Sequence, residues 1–243
     1  MPYRRIFFEK NQPVHIVSRA VEGIKIFSQD ENAYRFIFQF YAANLGRRSP
    51  SLENKDMVKI GKYLLAGEKI PSKSIIEEHP PFVFVLDFAL AVNHYHFYLL
   101  PNIENSIPLL LQKTNNGFAK YFNLKHDRKD ALFGARYKSV LVKTEFQSDA
   151  ISRYISIINP LDVYQPGWRE EGLKDLDGAF EFLKSYQFSS FPDKIGQRKS
   201  LILAPSEIQG KYFPHFLNKE IYQESVKNFL EQKLDSFQPF FLE

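Results

Sequence analysis

The chain has 243 residues, 44% of them hydrophobic and 16% aromatic, enough for one well-packed domain with appendages or two small ones, and too apolar for a disordered polypeptide. The absence of cysteine excludes disulfide scaffolds, thiolate zinc sites and cysteine nucleophiles. The net charge of +4 is unevenly spread: residues 113–143 hold eight lysines and arginines against Asp127 and Asp130, so this segment carries +6 and the remainder −2.

The opening run MPYRRIFFEK has no apolar h-region, and the longest apolar stretch, 82–92, is broken by Asp87. It falls short of the roughly 20 residues of a bilayer crossing, so the expectation is a cytoplasmic chain with no export signal and no membrane span. Residues 14–20 (VHIVSRA) alternate and are rich in β-branched side chains, which predicts a strand. Ser28 and Glu31 have capping-box spacing, and Phe36, Ile37, Phe40, Tyr41 and Leu45 come after them at helical intervals until Gly46. The polar stretch 47–80, with a short helix near 57–65 and a Pro80-Pro81 exit, reads as an insertion between core elements. Residues 82–100 suit two short strands or one bent strand, ending at Pro101.

A second long helix is expected after Asn105, with Pro108 in its first turn and Leu110, Leu111, Phe118, Tyr121 and Phe122 on its apolar side. Residues 131–143 alternate as another strand. Thr144 and Gln147 again match a capping box, and Ile151, Tyr154, Ile155 and Ile158 share one helical face, with Pro160 expected to end the helix. Beyond Leu161 come helical pieces at 175–186 and 218–234. The order of elements predicts an α+β fold, helices packed on an antiparallel sheet, over 1–165, with a helical extension over 166–243.

Within this frame the run AVNHYHFYLL (91–100) stands out, because strand geometry sends His94, His96 and Tyr98 to one face. Two imidazoles one strand step apart suit either a divalent metal, with further donors from elsewhere, or a buried hydrogen-bonded pair. Downstream, Phe118, Tyr121, Phe122, Phe133 and Tyr137 are interleaved with the cations of the basic segment. That mixture suits a phosphate backbone with stacking bases, or a solvated basic face over core aromatics. By periodicity alone Tyr154 is a core residue. No Walker-type glycine loop is present.

The succession NHYH (93–96), GFAKYFN (117–123), LFGARYKS (132–139) and SRYISIINPLD (152–162) resembles the REP-associated tyrosine transposases, a branch of the single-tyrosine HUH transposases. HIVSRAVEGIKIF (15–27) and YQFSSFPDKIG (186–196) extend the resemblance from about Val14 to Gly196. It implies a ferredoxin-like (RRM-like) HUH endonuclease sheet, His94 and His96 holding Mg²⁺ or Mn²⁺, and Tyr154 as the nucleophile. Such enzymes cut single-stranded DNA beside a hairpin, leaving a 5′-phosphotyrosine and a free 3′-hydroxyl, and occur as monomers or homodimers. The family places an asparagine ligand four residues after the tyrosine, whereas here Ile158 stands there and Asn159 comes one residue later. Either a bulge brings Asn159 round, or Asn159 caps the helix, or metal binding is weakened. The resemblance and the basic segment together put forward Arg19, Lys120, Asn123, Arg128, Arg136 and Lys138 as DNA contacts, with Tyr121 as reserve nucleophile. Asp130 and Gly134 depart from the family's basic motif. The alternatives are a domesticated or inactive DNA-hairpin-binding protein on the same fold, and an RNA-binding protein using sheet aromatics.

Overall fold

The computed structural model describes residues 6–134, 136–213 and 218–231. Strand β1 (Val14–Arg19) leads through a 3₁₀ turn to helix α1 (Asp30–Leu45). The ribbon β2 (Gly46–Arg48) and β3 (Ile75–Glu77) brackets α2 (Asn54–Ala66). Then come β4 (Val83–Leu90), β5 (His94–Pro101), α3 (Ile107–Lys125) and β6 (Lys138–Leu141). The chain continues as α4 (Glu145–Arg153), a π-helical turn (Tyr154–Ile158) and α5 (Asn159–Tyr164). It closes with α6 (Trp168–Glu171), α7 (Leu176–Ser185), α8 (Phe191–Lys194), α9 (Ser206–Tyr212) and α10 (Lys219–Glu231).

The main sheet is antiparallel in the order β4-β5-β1-β6. With α1 after β1 and α3 after β5, this is a βαββαβ ferredoxin-like arrangement, of the α+β class expected from the order of elements and with the topology implied by the resemblance. Alternation splits each strand between two cores. On one side Ile16, Phe88, Phe97 and Leu99 meet Phe36, Phe40 and Phe118 of α1 and α3, with the Phe40 and Phe97 rings stacked at 4.2 Å. On the other, Leu86 and Tyr98 meet Ile151, Ile155 and Ile158, together with Phe180, Phe191 and Phe229 of the C-terminal helices. The C-terminal helices therefore cover the second sheet face. No helix among the described residues is long and apolar enough to cross a membrane.

The insertion packs on α1 through Gly61, where a Cβ would lie 2.1 Å from the Tyr34 carbonyl oxygen. Gly46 is required for a similar reason, since a Cβ there would meet the Ile76 carbonyl at 2.3 Å.

Three local expectations are corrected. Ser28 does not cap α1; its hydroxyl donates to the Lys25 carbonyl, and the helix begins one residue after Gln29. A reciprocal capping box stands instead between Glu53 and Asp56 at the start of α2. Pro160 does not end its helix: it sits at the start of α5 directly after the π turn, and the chain stays helical through it. The strand predicted over 131–143 is confined to Lys138–Leu141; among the described residues the segment before it makes a single isolated bridge, Ala20 to Phe133.

Candidate functional site

The second sheet face brings three histidines together. In the antiparallel register His15 lies opposite Tyr98, Val17 opposite His96 and Arg19 opposite His94, so these side chains emerge on one side. His15 Nε2 and His96 Nδ1 are 3.0 Å apart, and their rings stack with centres 5.3 Å apart. The His94 ring stands edge-on to that of His96 at 4.9 Å, and its Nδ1 is 2.7 Å from Asn93 Oδ1. Burial, and after it the neighbouring His15, His94, Arg19 and Arg169, holds the pKa of His96 well below the usual imidazole range. Burial alone pushes His15 down to about 3. Both rings are neutral at physiological pH, the state in which imidazole accepts a hydrogen bond or ligates a metal.

Tyr154 arrives over these rings from the helical layer. Its ring centre is 5.3 Å from His96 and 6.0 Å from His15, both edge-on. The tyrosine is 1% exposed. Above it, the Arg169 guanidinium carbon lies 5.5 Å from the ring centre. Asp162 fixes Arg169 by two hydrogen bonds and also accepts from Trp168 Nε1 at 2.9 Å. The short helix α6 thus covers the phenol.

The π turn sets where the residues after Tyr154 lie. Its widened hydrogen bond runs from the Asn159 N–H to the Tyr154 carbonyl, and Asn159 Nδ2 donates to the same oxygen at 2.9 Å. The helix is widened by a π turn here, and Asn159 continues into α5 instead of capping a helix end. Behind the turn lies a buried polar cluster. Lys194 Nζ donates to Asp87, to Ser152 Oγ at 2.6 Å and to Ser156 Oγ at 2.8 Å; Ser152 and Ser190 also donate to the carboxylate. This cluster ties the end of α4 and the turn itself to β4.

Three buried atoms around the site have no hydrogen-bond partner among the described residues: His15 Nδ1, His96 Nε2 and Asn159 Oδ1. Unsatisfied buried polar atoms are uncommon in folded proteins. No group of three His, Cys, Asp or Glu side chains placed to hold a metal occurs among the described residues.

The six candidate DNA contacts are divided between the two sides of the sheet. Arg19, beside His94, and Lys138, opposite Val17, lie on the face of Tyr154 and are exposed. Lys120 and Asn123 are on α3 across the sheet, Asn123 donating to the Asp130 carbonyl, and Arg128 comes just after that helix with its N–H on the Asn123 carbonyl. Arg136 lines a cavity of about 330 Å³ with Ser18, Asn115, Phe133 and Tyr137. Tyr121, also on α3, is buried with its hydroxyl on Asn32 Oδ1, far from the histidine face. Sequence reasoning missed His15, whose strand parity matched the histidine face, and Arg169, for which the run WREE gave no signal.

No protein-family model and no curated protein matches this chain. A solved structure of a REP-associated tyrosine transposase bound to a REP hairpin is similar to it, with 13% identity and a TM-score of 0.47 over 85% of this chain and 92% of that one.

Proposed function

We propose that this chain is a metal-dependent single-tyrosine strand transferase acting on single-stranded DNA beside a hairpin. The observation that carries this reading is the meeting of the Tyr154 phenol with the His96 imidazole, 5.3 Å between ring centres, from elements 58 positions apart. His94, His96 and Asn159 are the proposed ligands of Mg²⁺ or Mn²⁺. The donor chemistry fits, since His96 Nε2 and Asn159 Oδ1 are buried nitrogen and oxygen atoms without hydrogen-bond partners among the described residues. When bound, such a cation polarises a phosphodiester and stabilises the charge of its transfer. Tyr154 Oη then forms a bond to phosphorus as the bond to the 3′-oxygen breaks; the phenolic proton leaves to solvent and the 3′-oxygen takes one up. The ester keeps the broken linkage available for rejoining. Arg19 and Lys138 on the same face supply contacts to flanking phosphates.

One observation favours a second reading, a DNA-hairpin-binding protein that does not cut: Tyr154 is covered by Arg169 and α6, so no phosphate reaches it in this state. Labelled hairpin oligonucleotides with single-stranded flanks, incubated with the protein and Mn²⁺ and run on a denaturing gel, separate the two. The first reading expects a covalent adduct that disappears in Tyr154→Phe. Retention of hairpins without any adduct, across a broad set of sequences, establishes the second.

A further inference from the structure

A groove of about 870 Å³ runs between α1 and α3, on the sheet side away from Tyr154, and the β2–β3 ribbon of the insertion walls one end. Six cations line it: Arg35, Arg47, Arg48, Lys113, Lys120 and Lys125. Its two carboxylates are already engaged, Glu31 with Lys125 and Glu78 with Arg47, each at 2.7 Å. Arg35, Arg48, Lys113 and Lys120 therefore have no carboxylate partner among the described residues. Three of them hydrogen-bond to neutral acceptors, Arg35 to the Gln39 amide, Arg48 to the Leu52 carbonyl and Lys113 to the Gly46 carbonyl, while the Arg35 guanidinium also lies 5.2 Å from the Tyr121 ring centre and Lys113 5.6 Å from that of Phe82. Arg35 is 4% exposed, and its Nε, buried in the groove wall, has no hydrogen-bond partner among the described residues. Burial and the charge on Arg48 push its pKa down to about 10. A guanidinium withdrawn from water without a counter-charge is costly, and an anion in the groove relieves that cost.

We propose that this groove is a second nucleic-acid site, which grips the phosphodiester backbone of the same DNA that the proposed strand transfer cuts on the opposite face. The choice of a polymer over a single phosphate rests on the spread of charge. Lys113 and Lys120 are seven residues apart on α3, about 10 Å along its axis, which is wider than one phosphate group. Arg48 adds a third point from the ribbon. The polar insertion between core elements thereby gains a role: it supplies the far wall of the groove.

The test uses the full chain and a fluorescent hairpin with a single-stranded tail, read by anisotropy over a KCl series, with circular dichroism to check folding. Replacing Arg48, Lys113 and Lys120 together by Gln is expected to weaken binding at least about 10-fold at moderate salt and to flatten the log–log salt slope by about 3. The same samples with Mn²⁺ on a denaturing gel report the adduct. An altered slope with no adduct in the wild type upholds the groove and refutes strand transfer. An adduct with an unchanged slope refutes the groove and leaves strand transfer standing. Saturable binding of inorganic pyrophosphate that needs the three cations, with hairpin affinity unaffected by them, makes this a free-anion site and overturns the proposal.

Discussion

Asn159 gives two hydrogen bonds to one acceptor, the carbonyl of Tyr154: its backbone N–H closes the π turn, and its side-chain amide lies 2.9 Å away. An ordinary α-helical turn brings residue 158 beneath Tyr154; the widened turn brings residue 159 there instead. The turn therefore absorbs one residue without rotating the helix beyond it. Deleting Ile158 is expected to convert it to α-helix and leave a folded protein, at a cost of about 2–5 kcal/mol for one buried isoleucine. Deleting Ala150 from regular α4 rotates the preceding turn by about 100° and takes Ser148 away from the Tyr98 hydroxyl, 3.0 Å distant. Thermal melts monitored by circular dichroism compare the two; equal damage from both deletions contradicts the inserted-residue account.

Asp87 and Lys194 are both buried, and burial pushes their pKa values towards the neutral forms while each holds the other charged. Removing one partner strands the other. Lys194→Met is expected to cost about 3–5 kcal/mol, whereas Asp87→Leu with Lys194→Met recovers most of that loss. A double-mutant cycle by urea unfolding measures the coupling. If the double variant is as unstable as the sum of the single ones, Asp87 and Lys194 do not act as one unit.

Much of the sheet was legible because VHIVSR and HYHFYLLP carry the period-two pattern that divides their side chains between two cores. The long helices were legible from Phe36, Ile37 and Phe40 and from Leu110, Leu111 and Phe118 for the same reason at a different period. The meeting of His15 with His96 was not, since parity assigns a face while only the β1–β5 register makes neighbours of residues 81 positions apart. Arg169 escaped because its partner, Asp162, and its target, Tyr154, are set by a π turn that no propensity announces. The basic segment read as one patch, yet α3 carries Lys113 and Lys120 to one side of the sheet and β6 carries Lys138 to the other.

The buried imidazoles make stability depend on pH. In the unfolded chain His15 and His96 titrate near 6.5, whereas burial holds His15 near 3 and His96 well below its ordinary value when folded. With depressed folded values, their contribution is complete above pH 6.5 and is lost as the pH falls, because only the unfolded state takes up protons. Between pH 6 and 5.5, above the range of ordinary carboxylates, these two histidines are expected to make the unfolding free energy fall with a slope approaching two protons, about 2.7 kcal/mol per pH unit. Urea titrations in the presence of chelator measure it. His15→Gln, which leaves His96 Nδ1 a partner, removes about one proton from that slope; an unchanged slope rules out His15 as a source.

Gly61 offers a test in which two effects have opposite signs. In the interior of α2, replacing glycine by alanine ordinarily favours the helix by about 0.8–1.0 kcal/mol. Here the new methyl carbon falls 2.1 Å from the Tyr34 carbonyl oxygen and 2.7 Å from its carbon, both backbone atoms of α1 that have no rotamer by which to move aside. Separating α2 from α1 far enough to admit the methyl group disturbs Met57, Ile60, Leu64 and Leu65, all buried in the same core as Phe36 and Phe40. The overpacking penalty, about 1–3 kcal/mol or more, exceeds the propensity gain. Gly61→Ala is therefore expected to lower the melting temperature, while Gly172→Ala, with no neighbour within 4 Å of the added carbon but a φ of +80°, measures backbone strain alone. A stabilised Gly61→Ala protein shows that α2 and α1 do not pack backbone to backbone at this position.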